Sequence, residues 1–460
     1  KDRFDVDMSG NYAGIGARLS KKFDKIEVVE IISGGPAWRQ NLLEVGDIIL
    51  KVRQNDQDES ESTSILGMPI SDAVKLIKGP KGTNVILTIK KVDGEVLDLK
   101  IKRDIVLLEE TYVRSSIVSK QENLYGFINL PKFYIDFDNS TSRDAARDVK
   151  KEIIRLKNLG VKGLVLDLRN NGGGSLKTVV EMAGLFIQEG PIVQVRSMDK
   201  ESKILRDKDR SIIWEGPLVI LVNEFSASAS EILAAAMQDY KRAIIIGSKQ
   251  TYGKGTVQNV LDLNKMVRSN TNGDLGALKF TTQKYYRING GSTQLEGVKS
   301  DIVVPDKYTY VDFGEKDQEN PLKWDKIDPV PYEPWKTFFD YNKSIQASKN
   351  RMNSSEFISL IDENAKWIKS IRDKDIYTLN YSKFKKDLLL NEEKAKKYKK
   401  LSDYSSDLTF KSLPYEIDLI AKDSSLGEKR KRWHKNLSKD IYVNESLNVL
   451  NDLRLSYVER

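Results

Sequence analysis

Residues 217–239 read PLVILVNEFSASASEILAAAMQD. Pro217 to Val222 is a short apolar run with β-branched side chains, the pattern of a strand covered on both faces. Asn223, Glu224 and Phe225 follow, then Ser226, Ala227, Ser228, Ala229 and Ser230, then Glu231 and a strong helix former from Ile232 to Gln238. A cluster of small hydroxyl residues therefore falls at a strand-to-helix junction. Backbone amides are free there, and the helix dipole favours developing negative charge. A serine at such a turn can be exposed beside an oxyanion site. The same residues also suit plain capping and tight packing: Ser230 with Glu231 fits an N-cap, and Ser226 fits a structural role.

The flanking sequence repeats the strand–helix alternation. Residues 163–168 (GLVLDL) and 243–247 (AIIIG) are two more short apolar runs bounded by turn residues. Leu124 to Pro131 carries another strand. Residues 141–159 read as a helix with Ala145, Val149, Ile153 and Leu156 on one face and Gly160 after its end. Residues 104–308 thus read as an α/β core.

Downstream lies QTYGKGTVQ, residues 250–258. Glycines on both sides of Lys254 permit close backbone approach and fix the direction of its side chain. A phosphate loop is excluded, because the upstream glycine spacing and the Ser/Thr directly after the lysine are missing.

Composition narrows the chemistry. The 460 residues contain no cysteine and one histidine, His434. Cysteine nucleophiles, disulfides and His- or thiolate-rich metal sites are ruled out, so no metal is expected. His434 lies in a basic segment expected to be exposed, which leaves lysine as the available base for a serine. An amine of pKa ~10.4 acts as a base near neutrality only when burial depresses it, at a cost of about 4–5 kcal/mol. Gln258, four residues after Lys254, suits orienting that amine without adding charge.

The net charge of +8 arises from interspersed acids and bases, so no nucleic-acid partner is expected. No stretch approaches the roughly 18 apolar residues of a spanning helix. The chain opens at Lys1 without an apolar signal segment and reads as a processed or trimmed product, with 1–13 a remnant of an N-terminal region.

Residues 14–103 form a β-rich module. Ile26 to Ile32 is a strand stopped by Ser33-Gly34-Gly35-Pro36. Gly46-Asp47 turns into a second strand. Ile70, Ala73, Val74 and Ile77 mark a helix, and Val85 to Ile89 a further strand. After a linker at 309–330, residues 331–460 read as a polar, lysine-rich helical domain. Glu356 to Ile371 and Lys383 to Leu401 are its clearest helices, and Lys383 to Lys400 reads as a solvated face.

These motifs, in order, cover nearly the whole chain. Gly14-Ile15-Gly16-Ala17, Gly34-Gly35-Pro36-Ala37, Val45-Gly46-Asp47-Ile48-Ile49 and the turn at 77–82 resemble a PDZ domain of the bacterial protease type. SASASEILAAAMQD (226–239), GKGTVQ (253–258), DLRNNGGG (167–174) and residues 280–305 resemble the carboxy-terminal processing proteases, in particular the Gram-negative periplasmic tail-specific subgroup. One departure is visible: the loop at 247–251 is a residue longer than usual and has no proline.

The resemblance implies a multidomain α/β protein. It would combine a crotonase/ClpP-like β/α protease core, a PDZ-like module and a helical C-terminal domain. It implies Ser228 as nucleophile, Lys254 as general base and Gln258 as the orienting residue. It further implies an oxyanion hole from the amides of Ala229 and of Gly173 or Gly174, with no cofactor. Asp239 reads as structural. Gly14, Ile15, Gly16 and Ala17 would hold a peptide carboxylate, and the following strand edge would pair with the peptide. Protein substrates with apolar C-termini, a periplasmic location and a helical-repeat lipoprotein adaptor complete the expectation. Two rival readings differ in class: an inactive protease-like scaffold that grips C-termini, and a crotonase-like acyl-transfer enzyme.

Overall fold

The computed structural model describes residues 2–32, 35–40, 43–91, 93–137, 142–197, 200–267, 273, 275–336 and 339–456. Ser33 and Gly34, part of the strand stop and of the PDZ-like motif, lie outside them. The described residues pack as two compact units, one within 2–111 and 418–428, the other within 112–417 and 429–456.

In the first unit five strands run in the order Ala17–Lys22, Lys25–Ile31, Ile48–Gln54, Asn84–Lys90, Val96–Lys102, and Thr63–Ser64 pairs beside the third. The alternation of Val85, Leu87 and Ile89 puts these three side chains into a core shared with Ile26, Val28, Ile49, Ala73 and Ile77. Helix Ile70–Ile77 packs against the edge strand Ala17–Lys22, whose outer edge pairs with no other strand among the described residues. The turn before that strand is tight. Gly16 has φ +78°, and a Cβ there would come within 3.1 Å of the Gly35 backbone. Ile15 is buried. Among the described residues the amides of Ile15 and Gly16 donate no hydrogen bond.

The second unit is built on a seven-stranded sheet. Its order is Ile302–Val303, Ile244–Gly247, Leu218–Val222, Leu164–Asp167, Asn123–Asn129, Arg114–Lys120, Thr409–Lys411. The first five are mutually parallel, and the last two add antiparallel. The three apolar runs are fully buried strands, because helices cover both faces of the sheet. Leu164, Leu166, Leu218 and Ile220 face the helices Ala145–Asn158, Leu176–Ala183 and Ala229–Asp239. Val165, Val219, Leu221, Ile244 and Ile246 share the other core with Val443, Leu447, Leu450 and Leu453 of helix Ile441–Leu455. The chain beyond 330 thus covers one face of the sheet and supplies its last strand. A second, four-stranded sheet carries Thr256–Asp262 at one edge, beside Ala277–Tyr286.

His434 departs from the expected exposure. It is half-buried, its Nε2 lies 3.2 Å from Ser116 Oγ, and its ring stacks near Phe410. Burial pushes its pKa down. Helix Tyr381–Tyr398 has no buried residue, in keeping with a solvated lysine-rich face.

Candidate active site

Strand Leu218–Val222 and helix Ala229–Asp239 meet in a turn whose last residue is Ser228. Ser228, not Ser230, is the residue before the helix, and it takes φ 57°, ψ −113°. A non-glycine residue there stores on the order of 1–3 kcal/mol and persists only where its surroundings over-determine it. The surroundings do so. Ser226 Oγ is buried, donates to the Leu168 carbonyl at 2.9 Å and accepts from the Asn223 amide at 2.9 Å. The Ala227 amide and Ser230 Oγ both donate to the Asn171 carbonyl, at 3.0 and 2.8 Å.

The glycine turn lies against the serine. A Cβ on Gly173 would come within 2.7 Å of Ser228 Cβ, and one on Gly174 within 2.2 Å of the Phe133 carbonyl oxygen. The two glycines differ in their amides. Gly173 N–H donates to Asn171 Oδ1 at 2.9 Å, whereas those of Gly174 and Ala229 donate to nothing among the described residues.

The lysine loop approaches from the other side. Gly253 has φ +91°, and a Cβ on Gly255 would meet Gln294 at 2.7 Å, so both glycines are required for passage. Lys254 is half-buried, and its Nζ donates to Gln258 Oε1 at 3.2 Å. No hydrogen bond joins Nζ to Ser228 Oγ, and among the described residues no carboxylate forms an ion pair with it. Burial, reinforced by Lys279, lowers the Lys254 pKa against the opposing pull of Glu315 and Glu231.

Glu231 joins the two loops. It is fully buried. Oε2 accepts from the amides of Ser228 (2.7 Å) and Lys254 (3.1 Å), and Oε1 from Thr251 Oγ1 and the Gly253 amide, both at 2.7 Å. One oxygen thus holds the backbone nitrogens of both residues. Burial pushes the Glu231 carboxyl up to about 7 despite these bonds. Tyr285 adds a second tie, its hydroxyl donating to the carbonyls of Lys254 and Ser228. The sequence reading left Glu231 as a capping residue. The signal that could have singled it out is the Ser-x-x-Glu spacing from Ser228, a capping box in which the glutamate reaches back to the serine amide. Asp239 is held by Arg287 and Asn289 at the far end of the helix.

Three family models match in succession: a PDZ domain at 4–90, peptidase family S41 at 125–304, and the C-terminal domain of tail specific protease at 308–454. The tail-specific protease of Haemophilus influenzae is 35% identical over 91% of this chain and 59% of its own length. The carboxy-terminal-processing protease of Bartonella bacilliformis is 34% identical over 68% of each chain. A CtpA-like serine protease of Staphylococcus epidermidis is 32% identical over 69% of this chain and 60% of its own. The chain therefore spans about three fifths of the length of the Haemophilus and Staphylococcus relatives.

Proposed function

The chain belongs to the carboxy-terminal-processing proteases of peptidase family S41, and from that premise we propose that it is a serine endopeptidase with a Ser228–Lys254 dyad, taking protein C-termini through its PDZ unit. The observation that carries the reading is the shared anchorage of a strained serine turn and a half-buried lysine on one glutamate, with no carboxylate paired to the amine.

In this mechanism the neutral Lys254 amine takes the Ser228 hydroxyl proton as Oγ bonds to a peptide carbonyl carbon. The amides of Ala229 and Gly174 hold the resulting oxyanion. Gly174 is favoured over Gly173 because the Gly173 amide is committed to Asn171. The C–N bond breaks as the lysine ammonium returns the proton to the leaving amine, and an ester remains on Ser228. Water, deprotonated by Lys254, then attacks the ester carbon and releases the new C-terminus. Gln258 accepts from the amine and orients it without the charge that would raise its pKa.

In the PDZ unit the unpaired amides of Ile15 and Gly16 suit a terminal carboxylate, and the open edge of Ala17–Lys22 suits an added strand. Half-buried Leu19 and Leu76, on the strand and helix flanking that edge, support apolar tails. Among the described residues no helix is long and apolar enough to cross a membrane. A periplasmic location, periplasmic substrates and a lipoprotein adaptor belong to the same reading, as what the family resemblance implies.

The test compares Ser228→Ala with the unsubstituted chain on an unfolded substrate ending in an apolar tail. Loss of the nucleophile is expected to lower kcat by about 10³-fold or more. Equal rates would leave only a receptor for protein C-termini.

A further inference from the structure

Residues 306–322, between the last strand of the parallel sheet and the C-terminal helices, touch both loops of the candidate site. On the serine side, Phe225 precedes Ser226 directly, and its ring packs edge-on against Tyr308 at 5.3 Å and tilted against Phe313 at 5.4 Å. Beside it, burial and the neighbouring Asp306 carboxyl push Glu224 up to about 8.

On the lysine side, the Glu315 amide donates to the Tyr252 carbonyl at 3.0 Å, and the Tyr252 amide donates in turn to the Ser226 carbonyl at 3.0 Å. Gln318 Nε2 reaches the Tyr252 hydroxyl. The buried Gln294 accepts from the Gly255 amide at 2.8 Å and donates to the Leu322 carbonyl at 2.9 Å. Gly314 has φ +139°, and a Cβ there would stand 2.3 Å from the Tyr252 carbonyl oxygen. The segment therefore lies directly on the backbone of the lysine loop.

Its outer side is held by helix Glu356–Arg372. Tyr310 hydroxyl donates to Asp362 at 2.7 Å, Lys366 lies over the Tyr310 ring, and Arg372 lies over the Phe313 ring at 5.2 Å.

We propose that residues 306–322 form a positioning strap that sets the serine turn and the lysine loop relative to each other, and that helix Glu356–Arg372 holds the strap in place through Tyr310 and Phe313. The inference rests on the protease reading and adds to it the source of the alignment. A packed interior transmits a displacement of one layer to the next. A shift of the strap moves the Tyr252 carbonyl, and through the Tyr252 amide the serine turn. Misplacing reacting groups by about 1 Å costs roughly 10²-fold in rate. Glu315 gives the strap an electrostatic handle as well. The charged groups that bear on Lys254 are Lys279, Glu231 and Glu315, and Glu315 favours the charged amine.

The experiment uses the full chain with Gly314→Ala, Tyr310→Phe and Glu315→Gln. Four quantities are read: kcat, KM, the rate at which a fluorophosphonate probe labels Ser228, and affinity for an apolar tail peptide. Gly314→Ala is expected to lower kcat and labelling by roughly tenfold or more, with KM and tail affinity unchanged. Tyr310→Phe, which keeps the ring and removes the hydroxyl that bonds Asp362, is expected to lower kcat by about two- to fivefold. Glu315→Gln is expected to move the acid limb of kcat/KM to lower pH, a shift that loosened packing alone does not produce. The strap is overturned if folded Gly314→Ala and Tyr310→Phe label and cleave at the unsubstituted rate, or if the Glu315→Gln acid limb stays in place. An unsubstituted chain that neither labels nor cleaves removes the protease reading itself, a result distinct from an active chain indifferent to its strap.

Discussion

At the scale of single residues, Glu231 sets conflicting demands for folding and for catalysis. Its carboxyl is raised from 4.5 to about 7 by burial. A group that binds its proton more tightly when folded contributes stability below its unfolded pKa and loses that contribution as pH rises through the folded value. Glu231 therefore favours the fold below about pH 4.5 and ceases to do so by about pH 7. Its four donors, by contrast, want the ionised form, and a neutral Lys254 also requires higher pH. Activity is expected to climb between pH 6 and 8 without a parallel gain in melting temperature from this group. Glu231→Gln, which offers one acceptor oxygen in place of two, is expected to lower kcat by roughly 10²-fold. A pH–rate profile beside a pH–melting profile checks both statements. An activity that tracks melting temperature across this range counts against them.

The residue scale is also where the sequence was least complete. Small hydroxyls at a strand–helix junction, and glycines flanking a lysine, leave a local signature that marks the serine cluster and Lys254, with Gln258 four residues on, but the choice of Ser228 within the cluster comes from the family resemblance alone. Glu231 could not be separated from an ordinary helix cap, because its other partners, Thr251, Gly253 and Lys254, lie twenty or more residues on. Gly173 and Gly174 could not be told apart either, because what distinguishes them is a bond within the folded turn that the Gly173 amide donates to Asn171 Oδ1.

At the scale of elements, the serine turn and the glycine turn form one packed unit. Gly173 has φ +102°, with no space for a Cβ beside Ser228. Gly173→Ala is expected to displace the serine and reduce fluorophosphonate labelling by about 10²-fold, while far-UV circular dichroism stays unchanged. Labelling at the unsubstituted rate would mean that the two turns are not coupled. The strands and helices of this region were legible beforehand because each apolar run is short, is bounded by turn residues and has a clear period. The observed Leu164–Asp167, Leu218–Val222 and Ile244–Gly247 fall within the stretches read from the sequence.

At the scale of the molecule, the C-terminal helices help form the interior of the unit that carries the seven-stranded sheet. Leu447 is fully buried in the core that includes Val219 and Leu221, two residues of the strand leading to Ser228. Leu447→Ala is expected to destabilise the unit by about 2–5 kcal/mol. Urea denaturation followed by tryptophan fluorescence measures this, since Trp433 lies in the same core. A loss below about 0.5 kcal/mol would mean that this helix does not stabilise the sheet.

Local chemistry determined what the sequence could determine alone. Side-chain periodicity fixes whether a segment is strand or helix, and the lack of cysteine with a lone histidine leaves lysine as partner for a serine. Folding decided the rest: which carboxylate binds both loops, which glycine amide stays unpaired, and that the tail roofs the sheet and braces the site. Each of these depends on a contact between residues far apart in the chain, and a hydrogen bond or a packed face has no counterpart in the order of residues until the backbone brings its two sides together.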